Sequence, residues 1–419
     1  MSISPENSNR IVNLLDPDEF RRQGHMTIDF LADYHTKNRE VPSGLTHWQS
    51  PNFFAYFLSS FGIPGMLGEM LCTRFNVAGF NWFSSSAATE LENLVMDYGV
   101  IKGNTCEAII CILATARDKI LRRLGHDSIT KLVIYGSDQT HCSFQKAAQI
   151  VGIDPQNFRA IKTTRSTSFD LSPDALRDAI YSDIEAGLIP LYLCAPVGTI
   201  SITAVDLLTP LCKITDEFGM WVHLDAAYAG AFCICPEYGK FINGVEFADS
   251  FSFDDHKWLL TPPDCSCLWL KDPKYLKKEA TDSKQVVDYN DWQLSLSRRL
   301  RAVKLWLVLR THGEHNLRKH IRNHCDGRSE IASPRSFAMI CFRIRPSAVF
   351  DDMTNGHALE NGHGEAWKAE EVNRINARLL QAINASGQAF MTHAVVGGIY
   401  AIRLRVGGAL VRETRIVMA

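Results

Sequence analysis

The chain has 419 residues, 46% of them hydrophobic, and balances 44 lysines and arginines against 46 aspartates and glutamates. That length allows two or three domains and a large core, and the near-neutral charge argues against a nucleic-acid partner. The first residues lack a basic stretch followed by an apolar one and no run approaches a membrane span, so a soluble, cytosolic protein with no membrane partner is expected.

Asp16 as an N-cap, Pro17 at the first helical position and apolar Phe20, Ile28 and Leu31 predict an N-terminal helix. Thr46 to Gly62 is aromatic-rich and poorly periodic, the composition of core or of a wall around a flat ring. Gly103-Asn104-Thr105-Cys106 opens a helical stretch whose first N–H groups favour an anion; a plain N-cap at Asn104 or Thr105 accounts for the same residues. Strand KLVIYG and helix SFQKAAQIVG follow, then helix SPDALRDAIYSDIEAG with strand LIPLYLCA, and helix LCKITDEFG with strand MWVHLD. The alternation continues into SFSFDDHKWLLTPPDCSCLWL and predicts a mostly parallel sheet flanked by helices.

From about Leu317 the pattern becomes a strand, FAMICFRI, a helix with apolar Val372, Ile375, Leu379 and Ile383, and two strand-like runs around GGIYAIRLRV. The expected division is a helical segment over 1–48, a large domain over 49–316 and a small α+β domain over 317–419. The cysteine pairs Cys233/Cys235 and Cys265/Cys267 lack the spacing of a zinc ribbon, and His312-Gly313-Glu314-His315 matches no ligand spacing. Reduced thiols and no metal are expected.

In open α/β sheets, ligands bind beyond the carboxyl ends of the strands. His141 follows KLVIYG, Gly198-Thr199-Ile200 follows LIPLYLCA, Asp225 closes MWVHLD and Lys257 follows ADSFSF. Any one of these is more often a turn or capping residue, and Asp254 to Lys257 alone reads first as a solvated turn. Four together describe a pocket. A lysine, a carboxylate and a flat residue are what pyridoxal phosphate requires: a Schiff base, a partner for the pyridinium nitrogen and a stacking surface. No Walker loop or G-x-G-x-x-G motif supports a nucleotide instead.

Asp225-Ala226-Ala227-Tyr228-Ala229-Gly230 and His256-Lys257-Trp258 occur with EFRRQGHM, THWQSPN, GFNW, AATELE, SDQTHCS, SRRL and MTHAVVGG, nearly from end to end. With these the sequence resembles the group II pyridoxal-phosphate decarboxylases, and within the aromatic L-amino acid decarboxylases it is most similar to the plant tyrosine/DOPA enzymes. The resemblance implies an α/β chain of fold type I, like aspartate aminotransferase, and decarboxylation of tyrosine or DOPA to tyramine or dopamine. It implies that Lys257 is the Schiff-base lysine, Asp225 the pyridinium partner, Ala227 a packing contact on the ring and His141 the residue stacked over it. Thr105 and Cys106 match the phosphate-binding pair, with Ile200, Asp254 and His256 also beside the cofactor. Trp48, Tyr56, Phe57, Ser59 and the partner subunit's Phe80 match the wall around the aromatic side chain, in a homodimer with its site at the subunit interface.

Tyr275 matches the tyrosine that returns a proton to Cα, where relatives with phenylalanine make aldehydes, so simple decarboxylation is implied over an aromatic aldehyde synthase. Ser297 matches the serine associated with tyrosine and DOPA; a hydroxyl facing a phenol discriminates because an unpaired polar site is costly. The chain also passes directly from VPSG to LTHWQ and from MDYG to VIKGNTCEA, omitting stretches of the family pattern, as a non-catalytic paralogue would. Ile200 replaces a threonine, Leu58 a proline and Asp254 an asparagine of that pattern, and weaker cofactor binding is expected from the first and last.

Overall fold

Short runs of Val, Ile, Leu, Phe and Tyr form the strands of a central sheet in a computed structural model that describes residues 16–37, 46, 48–50, 52–57, 60–97, 99–276, 288–325, 337–344 and 364–405. They are β1 (Val100–Lys102), β2 (Leu132–Ser137), β3 (Phe158–Ile161), β4 (Ile189–Pro196), β5 (Trp221–Asp225), β6 (Ser250–Phe253) and β7 (Ser266–Leu270). Their spatial order is β1-β7-β6-β5-β4-β2-β3. From β6 to β3 every pairing is parallel, and β7 runs antiparallel to both β6 and β1. All six residues of β2 are buried, which is why that strand reads as a continuous apolar run and not as an alternation.

The chain divides into two compact units, 1–48 and 49–419. The first carries helix α1 (Pro17–Lys37), capped as expected by Asp16, whose Oδ1 accepts the Asp18 N–H at 3.0 Å. The second holds the sheet together with α2 (Ile63–Phe75), α3 (Ser86–Met96), α4 (Thr105–Leu124), α5 (Cys142–Ile150), α6 (Pro173–Glu185), α7 (Leu208–Glu217), one-turn α8 (Asp255–Trp258) and α9 (Ala302–Cys325). It also contains β8 (Met339–Phe342), helix α10 (Gly364–Ala385), β9 (Thr392–Val396) and β10 (Ile399–Arg405). These last strands make an antiparallel sheet in the order β8-β10-β9.

The alternation and the small antiparallel sheet agree with the sequence. The boundary expected at 316/317 falls inside α9, which kinks at Gly313 with φ 66°. Helix α2 was illegible because Gly65 and Gly68 look like breakers. They instead admit close packing: a Cβ on Gly68 would lie 2.4 Å from Lys304 Cα on α9. Helix α4 lies on the sheet through buried Ile109, Ile112, Leu113 and Ala116, so its N-terminus is held at the strand ends by core burial. No described helix is long and apolar enough to cross a membrane.

Candidate active site

The ends of β4, β5 and β6, the loop after β2 and the first turn of α4 surround one cavity of about 270 Å³. His141, Ile200, Asp225, Ala227, Asp254 and Lys257 all line it. At its base, Asp225 Oδ1 accepts the Ala227 N–H at 3.0 Å. Burial is the main influence on this carboxyl and lifts its pKa to about 6. Gly198, with φ 82°, closes one side; a Cβ there would meet Ala229 Cβ at 2.6 Å, so the turn after β4 needs glycine.

Lys257 stands on α8, its side chain 15% exposed. Ser60 anchors that turn from a distant part of the chain: its hydroxyl donates to the Lys257 carbonyl at 2.9 Å and its N–H to the His256 carbonyl at 3.1 Å. His141 caps α5, its Nδ1 accepting the Ser143 N–H at 3.3 Å. Desolvation and the Lys257 charge both push the imidazole below its ordinary range, so it is neutral at neutral pH. Phe57 stacks on Tyr228 with ring centroids 3.9 Å apart, and Lys257 Nζ lies 5.6 Å from the Phe57 centroid. An aromatic wall thus faces the amine.

At the other end, Asn104 caps α4 by accepting the Glu107 N–H at 3.0 Å, and Thr105 and Cys106 line the cavity. The first N–H groups of a helix have no intrahelical acceptor, so this turn is an anion cradle. One anion is already there. Asp254 Oδ1 accepts the Thr105 hydroxyl at 2.7 Å, and Oδ2 lies 3.0 Å from Lys257 Nζ and 3.8 Å from His256 Nε2. Burial raises the Asp254 pKa, but Lys257, His256 and the Thr105 hydroxyl together hold it below the ordinary range. His256 braces this carboxylate instead of lining the cavity, its Nδ1 lying 2.6 Å from the Cys265 carbonyl oxygen.

The other residues singled out in the sequence lie elsewhere. Tyr56 is exposed, Ser59 falls outside the described residues, and Trp48 belongs to the first unit. Phe80 is half-buried and Ser297 exposed, and neither lines the cavity. Tyr275 packs edge-on against Trp221 at 5.7 Å and beneath Lys119 at 4.3 Å. Trp221 opens β5 and Asp225 ends it, a span of about 13 Å, so one copy of the chain does not bring Tyr275 to Lys257. Ser60 and Ser143, by contrast, gave no sign of a role in the sequence. Each acts through hydrogen bonds to site residues, and no local pattern encodes that.

The donor set fits pyridoxal phosphate at three points. Lys257 offers an amine, Asp225 a buried carboxylate that gains most from a cationic nitrogen, and the start of α4 an anion cradle. Asp254 is the one group that opposes it. Because the folded pKa of Asp225 lies above its unfolded value, stability associated with this carboxyl is lost as pH rises through about 6. In the ligand-free protein, Asp225→Asn should therefore raise stability at about pH 8 relative to about pH 5, by about 1.5 kcal/mol. Urea unfolding at both pH values measures this, and an equal effect at both would contradict it.

A family model for the pyridoxal-dependent decarboxylase conserved domain matches residues 5–345. The chain is 51% identical to tyrosine/DOPA decarboxylase 5 of Papaver somniferum over 97% of this chain and 93% of that protein. It is 50% identical to phenylacetaldehyde synthase of a Rosa hybrid cultivar over 98% of this chain and 94% of that protein. Among solved structures, Catharanthus roseus tryptophan decarboxylase in complex with L-tryptophan matches with a TM-score of 0.87 at 40% identity, over 97% of each chain. The alignment with the Papaver protein runs to 490 positions, more than the 419 residues available, so that relative carries internal segments this chain lacks.

Proposed function

Because the chain belongs to the pyridoxal-dependent decarboxylases, carboxy-lyases of fold type I, we propose that it removes the carboxylate of an aromatic L-amino acid, preferring tyrosine or DOPA and yielding tyramine or dopamine. The observation that carries this reading is one cavity lined by Lys257, Asp225 and Tyr228, with Phe57 stacked on Tyr228 and 5.6 Å from Lys257 Nζ. Lys257 would bond the cofactor, Asp225 would face its ring nitrogen, Ala227 and His141 would flank the ring, and Thr105 and Cys106 would receive its phosphate. When bound, pyridoxal phosphate supplies an electron sink for the bond broken at Cα. The protein's own part is to hold and orient. Ser60 fixes the turn that carries Lys257, Asp225 keeps a negative charge under the cavity, and Phe57 with Tyr228 offers a flat surface for an aromatic side chain.

A homodimer is part of the proposal. Tyr275 and Phe80 of the same chain lie outside the cavity, so the partner subunit's Tyr275 would return the proton to Cα and the partner subunit's Phe80 would complete the wall. Helix α2 exposes Ile63, Leu67, Met70, Leu71 and Phe75, an apolar face suited to a second copy. Ser297 of the same chain lies outside the cavity as well, so the partner subunit's Ser297 would favour a phenolic substrate. All twelve cysteines are free, which suits the reducing cytosol proposed as its location.

The similarity to phenylacetaldehyde synthase supports a second reading, decarboxylation with oxidative deamination to an aldehyde. Supplying the purified protein with pyridoxal phosphate and L-tyrosine, L-DOPA, L-phenylalanine or L-tryptophan separates the two. Amine and carbon dioxide without peroxide are expected. Aldehyde with peroxide would establish the second reading, and no product from any of the four would leave a non-catalytic paralogue. Sedimentation of the same preparation tests the dimer, which a single-chain mass would overturn.

A further inference from the structure

We infer that Asp254 is an internal anion seated at the phosphate end of the cavity, so that the protein disfavours pyridoxal phosphate relative to unphosphorylated pyridoxal. This rests on the pyridoxal-phosphate reading of the site and adds a charge filter to it. The carboxylate is 3% exposed and takes the Thr105 hydroxyl at 2.7 Å, which an incoming phosphate would use, along with the charge of Lys257 at 3.0 Å. Little of it meets solvent, and that only on the cavity side, so its charge is weakly screened.

The charges around Asp254 do not offset a second anion. His256 and Lys257 face it from α8, His141 from the cap of α5, Asp225 from β5 and Asp255 from the adjoining turn. Lys257 is the only fixed cation among these, against three carboxyl groups. A phosphate monoester brings about −1.5 to −2 further charges at neutral pH. Unphosphorylated pyridoxal presents the same aldehyde, ring and nitrogen without that charge. Both ligands must draw Lys257 out of its pair with Asp254, but only the phosphorylated one must share the cradle with the carboxylate.

Asp254→Asn keeps the side-chain shape and an acceptor for the Thr105 hydroxyl while removing the charge. Equilibrium dialysis of both ligands against the wild-type protein, Asp254→Asn and Asp254→Ser reads the effect, with thermal melts to establish that each variant is folded. Removing the charge should tighten pyridoxal phosphate by about 10- to 100-fold and pyridoxal by less than about threefold. Equal changes for the two ligands in both variants, or no change for either, would overturn the inference and leave the cofactor reading standing. If neither ligand binds any of the three proteins, the cofactor reading itself falls and takes this inference with it.

Discussion

Lys257→Ala should abolish the visible absorbance that pyridoxal phosphate gains when bonded to the protein, and should lower decarboxylation by at least about 10⁴-fold. No other lysine lines the cavity among the described residues, and the buried ones are committed elsewhere. Lys102 donates to the Trp292 carbonyl and to Cys111, and Lys304 pairs with Glu69 at 2.8 Å. Lys102 cannot move to replace it without leaving the buried Trp292 carbonyl unpaired, nor Lys304 without breaking its ion pair. Lys257→Arg separates bonding from charge. It retains a cation beside Asp254, so its melting temperature should stay closer to wild type than that of Lys257→Ala, which leaves a buried carboxylate without its closest cation. Both variants should lack the absorbance. Turnover by Lys257→Ala within tenfold of wild type would sink the assignment.

The second large effect concerns stability. Glu92→Leu should destabilise the fold by about 3–5 kcal/mol, a large part of what holds a typical domain together. Glu92 on α3 and Arg298, just before α9, are each only 4% exposed. Arg298 Nη1 donates to Glu92 Oε2 at 2.7 Å and Nη2 to the Ile101 carbonyl at 3.1 Å, while the Ile101 N–H donates to Glu92 Oε1 at 2.8 Å. The pair therefore binds α3, β1 and the entry to α9 together. Losing Glu92 strands a buried guanidinium that burial already disfavours and that Glu92 sustains. Changing both partners, Glu92→Leu with Arg298→Met, should recover most of the loss, since apolar replacement of a buried pair is often nearly neutral. A lower urea midpoint at unchanged slope is the expected signature for the single variant. A double variant no more stable than the single one would show that the pair acts through more than its charges.

The central sheet was legible because strand and helix periods are local properties of sequence. KLVIYG, LIPLYLCA and MWVHLD became β2, β4 and β5 within a residue or two. The shared cavity was legible for a related reason: residues at successive strand ends share a crevice, so the sequence order alone groups His141, Ile200, Asp225 and Lys257. Helix α2 and the course of α9 across the 316/317 boundary were not legible. Their packing depends on glycines whose role shows only against a neighbouring helix.

By itself, then, the sequence determined the fold class, the family and the grouping of His141, Asp225 and Lys257 around one pocket. Tertiary structure alone decided what each of them touches. Ser60 holds Lys257 across 197 positions of chain and Thr105 holds Asp254 across 149, distances over which no periodicity survives. It also decided that Tyr275 packs against Trp221, away from Lys257. The charge of Asp254 is written in its residue type, but its position against both the anion cradle and the amine follows from folding β6 alongside α4.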